Sequence, residues 1–127
     1  MNKLAIIASL ATALAVQSTA YAGGSATTTV RIDTTGYAYG AINATQVSAD
    51  GVQYIGCQIA SDAVSSAYVS CFASDVAGNQ AYCYDSNPSA ATLSNLSAVS
   101  GSSYVSFKAD SSGRCLFIAV YNVSTYF

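Results

Sequence analysis

Six aspartates, four cysteines and ten tyrosines are the residues of this chain that could do chemistry; it has no histidine and no glutamate. Without His there is no His-based triad and no ordinary pH switch. Most zinc sites also lose a ligand, and a catalytic thiol lacks its usual base. What remains for catalysis is a pair of aspartates acting as acid and base, which requires two carboxylates to converge. No spacing among Asp33, Asp50, Asp62, Asp75, Asp85 and Asp110 brings two together. Three of them head a D-x-x-G pattern, Asp50 precedes Gly51, and Asp62 and Asp85 fall near loop positions. One Asp per turn is also far short of the roughly 6–8 oxygens of a calcium site. An Asp-dependent hydrolase is therefore a minor alternative, and no cofactor or metal is expected.

Cys57, Cys71, Cys83 and Cys115 are even in number and include no C-x-x-C pair, so two disulfides are expected rather than a metal site. Their pairing depends on the elements that carry them. Asp33-Thr34-Thr35-Gly36, Asp75-Val76-Ala77-Gly78 and Asp110-Ser111-Ser112-Gly113 each interrupt stretches rich in Val, Ile, Tyr, Phe and Thr. Asp at the first turn position bonds the backbone ahead of it, and Gly accepts the left-handed conformation that ends a three-residue hairpin loop. Three hairpins are predicted: about 25–33 with 37–47, 66–75 with 79–85, and 103–110 with 114–123. A further strand spans about 52–60 after the turn at Asp50-Gly51. Asn87-Pro88 reads as an N-cap and first helical residue for a short helix near 88–97. The fold class is mainly β: an antiparallel β-sandwich of about seven strands built from hairpins, with one short helix, stapled by disulfides.

Register follows from the turns. Pairing Asp110 with Arg114 sets Phe107 opposite Phe117, Ala109 opposite Cys115 and Val105 opposite Ala119, leaving Leu116, Ile118 and Val120 on the other face. The last strand is then apolar on both sides, as in an interior strand or one that meets a partner. Residues 66–73 match residues 102–109 at five of eight positions, with Cys71 in the place of Phe107. Pairing Asp75 with Asn79 sets Cys71 opposite Cys83, which favours Cys71–Cys83 and Cys57–Cys115. A bulge in either hairpin would shift this register.

Tyrosine is the main residue left for recognition. Tyr82 and Tyr84 share a face, Tyr68 lies opposite the Cys71 face, and Tyr104 lies opposite the Phe107 face. Tyr is also simply a good strand former. An outward row could stack on sugar rings or anchor a protein, and Tyr68, Tyr82, Tyr84 and Tyr104 are the candidate binding residues.

The compartment comes from the N-terminus. Met1-Asn2-Lys3, the apolar run Leu4–Val16, the polar break at 17–19 and Ala20-Tyr21-Ala22 have the layout of a secretory signal peptide. Cleavage is expected before Gly23, leaving residues 23–127 as one β domain with no transmembrane segment. Arg31, Lys108 and Arg114 stand there against six Asp, a net charge of −3, and 26 residues are Ser or Thr. So acidic and charge-poor a chain is not expected to bind nucleic acid or anionic lipid.

Gln53-Tyr54-Ile55-Gly56-Cys57, the Cys71–Cys83 run with its Ala-Gly-Asn turn, the Ser-Gly-x-Cys ending at Cys115 and the Tyr/Asn-rich end resemble a group of small exported bacterial proteins with four cysteines. The resemblance covers roughly residues 48–127. It implies export and a shared disulfide-bonded β domain, and it brings no activity or site. The expected function is that of a secreted or periplasmic, non-catalytic domain that binds glycan or protein. The alternative is a structural subunit that self-associates through its last strand or an open sheet edge.

Overall fold

The computed structural model describes residues 29–122 apart from Ser65. The signal segment 1–22, residues 25–28 of the first expected strand, and Tyr126 lie outside the described residues. The elements run β1 (Arg31–Ile32), β2 (Tyr37–Ala41), α1 (Ile42–Gln46), β3 (Tyr54–Ala60), β4 (Tyr68–Ser74), β5 (Gln80–Asp85), α2 (Ala90–Ser97), β6 (Tyr104–Ala109) and β7 (Cys115–Tyr121). They form two antiparallel sheets, ordered β1-β2-β6-β7 and β3-β4-β5. The expected disulfide-bonded, two-sheet β architecture of seven strands is what the chain adopts.

All three D-x-x-G segments close hairpins in the same way. The N–H groups of Asp33, Asp75 and Asp110 donate to the carbonyls of Tyr37, Asn79 and Arg114. Gly36, Gly78 and Gly113, at φ 77°, 82° and 82°, occupy the left-handed position that closes each loop. Alternation along the strands then sends Val69, Cys71, Ala73 and Ile55 of one sheet against Ala38, Val105 and Phe107 of the other, with Leu96 of α2 joining them in a single core. The matched octapeptides have matching positions. They form β4 and β6, each an interior strand of its sheet, with Val69 and Val105 both fully buried.

Three local expectations are corrected. The second strand of the first hairpin ends at Ala41 rather than near 47. The Ile42 N–H donates to Ser103 O, after which Thr45 Oγ1 bonds Ile42 O and the Val47 N–H bonds Asn43 O. These local bonds replace the ladder and make α1. The second helix begins one turn signal later than Asn87-Pro88. Ser89 is its N-cap, accepting the Thr92 N–H at 3.1 Å, while the Asn87 N–H is held by the Asp85 carboxylate.

The third correction is the register of β6 with β7. Ala109 does face Cys115, but Lys108 faces Phe117, Phe107 faces Ile118 and Val105 faces Val120. Leu116 has no partner in this ladder, so it is an extra residue that moves every later pair by one. The shift turns Ile118 and Val120 onto the core with Phe107 and turns Phe117 outward. β7 is an edge strand, not an interior one.

Candidate functional site

The four cysteines are bonded as Cys57–Cys71 and Cys83–Cys115, with Cα–Cα distances of 4.0 and 4.8 Å. This overturns the expected Cys71–Cys83 and Cys57–Cys115 pairing, although the register behind it is correct: Cys71 does face Cys83. Cys71 also faces Cys57 on its other side, so three cysteines stand in one row across the sheet. The turn decides between the neighbours. Because the Asp75 N–H bonds Asn79 O, hydrogen-bonded and open pairs alternate back along β4, and Cys71–Cys83 falls on a hydrogen-bonded pair. There the Cα atoms stand about 5.5 Å apart, against about 4.5 Å for an open pair. Cys57–Cys71 is the open, closer pair. Cys83 meets Cys115 because the Tyr84 N–H donates to Gly113 O at 2.9 Å, which ties β5 of one sheet to the start of β7 in the other. The Sγ atoms of Cys71, Cys83 and Cys115 all lie within 4.8 Å of one another, with every thiol committed to a bridge.

The aspartates sit in turns. Asp33 Oδ1 accepts from the Thr35 and Tyr37 N–H groups, Asp75 Oδ1 from Ala77 and Asn79, and Asp110 Oδ1 from Ser112 and Arg114. Asp50 accepts from Val52 and Gln53, Asp62 from Val64 and Asp85 from Asn87. Side-chain hydrogen bonds from Thr35, Asn79 and Ser112 contribute most to holding the carboxyls of Asp33, Asp75 and Asp110 below the ordinary value. For Asp50 the Gln53 N–H contributes most. Asp33 and Asp75 do come to one place. They line an open cleft of about 480 Å³ beside Arg31, Ile32 and Tyr39. The hydrogen bonds of their own turns, from the Thr35 and Asn79 side chains first and the turn amides after them, favour the ionised form of both, so the cleft presents two anions.

The candidate tyrosines separate onto two faces. Tyr68, Tyr82 and Tyr84 lie on the outer face of the three-stranded sheet. Tyr68 and Tyr84 have ring centroids 5.6 Å apart, and Tyr82, 55% exposed, faces Phe72. Phe72 packs edge-on to Tyr54 at 6.2 Å and covers the bare backbone of Gly56. Tyr104 is not with them. It lies on the outer face of the four-stranded sheet, in a row that the sequence reading missed. The row runs Phe117, Tyr37, Tyr39, Tyr104, Tyr121, with successive centroids 6.3, 5.5, 6.3 and 5.9 Å apart. Its members come from β2, β6 and β7. The signal was the Tyr-Ala-Tyr of residues 37–39, but their neighbours depended on which strand β2 pairs with and on the bulge that turns Phe117 outward.

The fully buried Ser106 lies in the middle of this face, between Tyr39 and Ala119 in the register, and its hydroxyl has no hydrogen-bond partner among the described residues. Two serines, Ser70 and Ser106, hold corresponding places in the interior strands, where a small side chain leaves room for neighbouring rings to lie across the sheet.

No family model, no curated protein and no solved structure matches the chain. The two disulfides fit an oxidising, extracytoplasmic environment. Among the described residues no helix is long and apolar enough to cross a membrane.

Proposed function

We propose that this is an exported, non-catalytic binding domain, secreted or periplasmic and bacterial, that recognises glycan or protein through aromatic side chains on its sheet surfaces. The observation that carries this reading is the outward placement of two sets of rings on strands held rigid by turns and bridges. Large apolar rings on a solvent face add little to folding. They supply recognition area at low entropic cost. The aspartates, by contrast, are engaged with their own turns.

The test is a glycan array, together with capture of protein ligands, using the oxidised domain, followed by variants on each face. Single replacement of an exposed ring, Tyr82→Ser or Tyr84→Ser on one face or Phe117→Leu on the other, should weaken binding by ~1–3 kcal/mol on the face that is used. Asp62→Ala and Asp85→Ala should leave it nearly intact. A turnover activity lost on one of these Asp replacements, with the fold intact by circular dichroism, would show the class to be wrong.

A second reading, a structural subunit, is favoured by β7 itself. It is a seven-residue edge strand with no charged residue, and it carries Leu116 at 63% exposure. Such an edge is a template for another strand. Size-exclusion chromatography of the oxidised protein separates this reading from the first, because strand addition between copies gives a defined oligomer.

A further inference from the structure

We propose that the outer face of the four-stranded sheet binds an acidic polysaccharide, with sugar rings stacked on the row from Phe117 to Tyr121 and carboxylates met by Arg31 and Lys108. This rests on the binding-domain reading above and assigns it a face and a ligand class.

Charge distinguishes the two aromatic faces. The register places Arg31 across from Tyr39, and Lys108 between Tyr37 and Phe117. Two of the three cations among the described residues thus stand within one aromatic row of an otherwise acidic chain. The strands of the three-stranded sheet carry rings, Gln58 and Gln80 at outward positions and no Lys or Arg; the third cation, Arg114, is bridged to Tyr84 at the edge of that sheet, so that face has one cation against two. No Asp lies within β1, β2, β6 or β7. Asp33 and, from the hairpin of the other sheet, Asp75 line the cleft beside Arg31 and Tyr39, and Asp33 is near enough to Lys108 to feel its charge, but the Oδ1 atoms of both are taken by their own turns. Neither Arg31 nor Lys108 makes an ion pair among the described residues, so both are available to an anion.

The shape fits a polymer. Five rings in sequence cross β2, β6 and β7, and the small Ser106 and Ala119 keep the floor between them low. Stacking uses the apolar faces of sugar rings, and the two cations select chains that carry carboxylates. The guanidinium of Arg31 can take one in a fork of two bonds. Two cations among five rings suit a ligand whose charges are spaced out. They are too few for a nucleic acid backbone, where every phosphate is charged.

The experiment measures binding of the oxidised protein to polygalacturonate, alginate and hyaluronan, each beside its carboxyl-reduced counterpart, by affinity electrophoresis and calorimetry. At least one acidic polymer should bind, and its reduced form should bind about tenfold more weakly or less. Lys108→Gln and Arg31→Gln should each weaken binding about tenfold. Phe117→Leu should do likewise with the melting temperature unchanged, and Val64→Ser, at a 97% exposed residue of the loop between β3 and β4, should have no effect. The proposal is overturned if no acidic polymer binds, if reduced forms bind equally well, or if an oligodeoxythymidylate competes at equal affinity. A neutral glycan bound through Tyr82, indifferent to Lys108→Gln, would overturn this site and leave the binding-domain reading standing. Failure of every polymer and protein ligand would remove both.

Discussion

Removing the bridges separately tests how the cysteines are paired. Replacing Cys57 and Cys71 together with alanine opens a loop of separation 14, and replacing Cys83 and Cys115 opens one of separation 32. Loop-closure entropy makes the first worth about 3 kcal/mol and the second about 3.7 kcal/mol. Cys71 and Cys83 are fully buried among apolar neighbours, so alanine leaves each position apolar and adds only a small packing loss. Urea denaturation should therefore rank the long-loop variant as the less stable, with both still folded if wild-type stability is in the usual ~5–15 kcal/mol range.

A single replacement should behave differently. Cys57→Ser frees the Cys71 thiol within 4.8 Å of the Cys83 and Cys115 sulfurs. As a thiolate it can attack the remaining bridge, forming a bond to one sulfur and releasing the other as a free thiolate. After mild alkaline incubation, non-reducing peptide mapping should find a mixture in the single variant and one product in each double variant. A Cys71–Cys83 peptide from native wild-type protein would refute the reasoning, because the wider, hydrogen-bonded pair would then have been bridged in preference to the open one.

Three other expectations concern stability. Asp33, Asp50, Asp75 and Asp110 have carboxyls held below the ordinary value of 3.8. On lowering the pH the unfolded chain takes up protons before the folded one does. The melting temperature should be level above about pH 5 and drop as pH falls through 3.8 and below; a melting temperature that rises there would contradict the turn assignment. Ser106→Ala removes a buried hydroxyl with no partner among the described residues, so urea denaturation should show unchanged stability or a gain of up to ~1 kcal/mol, and a large loss would mean that the hydroxyl is bonded. Gly78→Ala places a Cβ in open space at φ 82°, so only backbone strain counts, at about 1–2 kcal/mol. Thermal melts should show this as a modest loss, with the sheet retained by circular dichroism.

Much of the architecture is local and was legible for that reason. A D-x-x-G loop closes itself: the Asp side chain bonds N–H groups two and four residues on, and only its Gly must adopt positive φ. Turn position, strand existence and the facing of Cys71 to Cys83 therefore follow from short stretches of chain. The likeness of residues 66–73 to 102–109 has the same origin, since both segments become interior strands with Val inward and Tyr and Ser outward. The expectation of two bridges also needed only composition and the even count.

What only the tertiary structure decided involves groups distant in sequence. Cys71 has a cysteine on each side, and its choice depends on β3 packing beside β4 and on the bond from Tyr84 to Gly113 that brings Cys115 to Cys83. The bulge at Leu116 is set by which faces of β7 the core can accept: Ile118 and Val120 reach Phe107 only if one residue is left out of the ladder. That slip carried Phe117 outward and completed a ring row with β2, whose pairing to β6 spans some 65 residues of chain. Alternation showed which side of its own strand each tyrosine takes. The order of strands in a sheet, fixed by long-range burial and not by local propensity, determined which tyrosines meet.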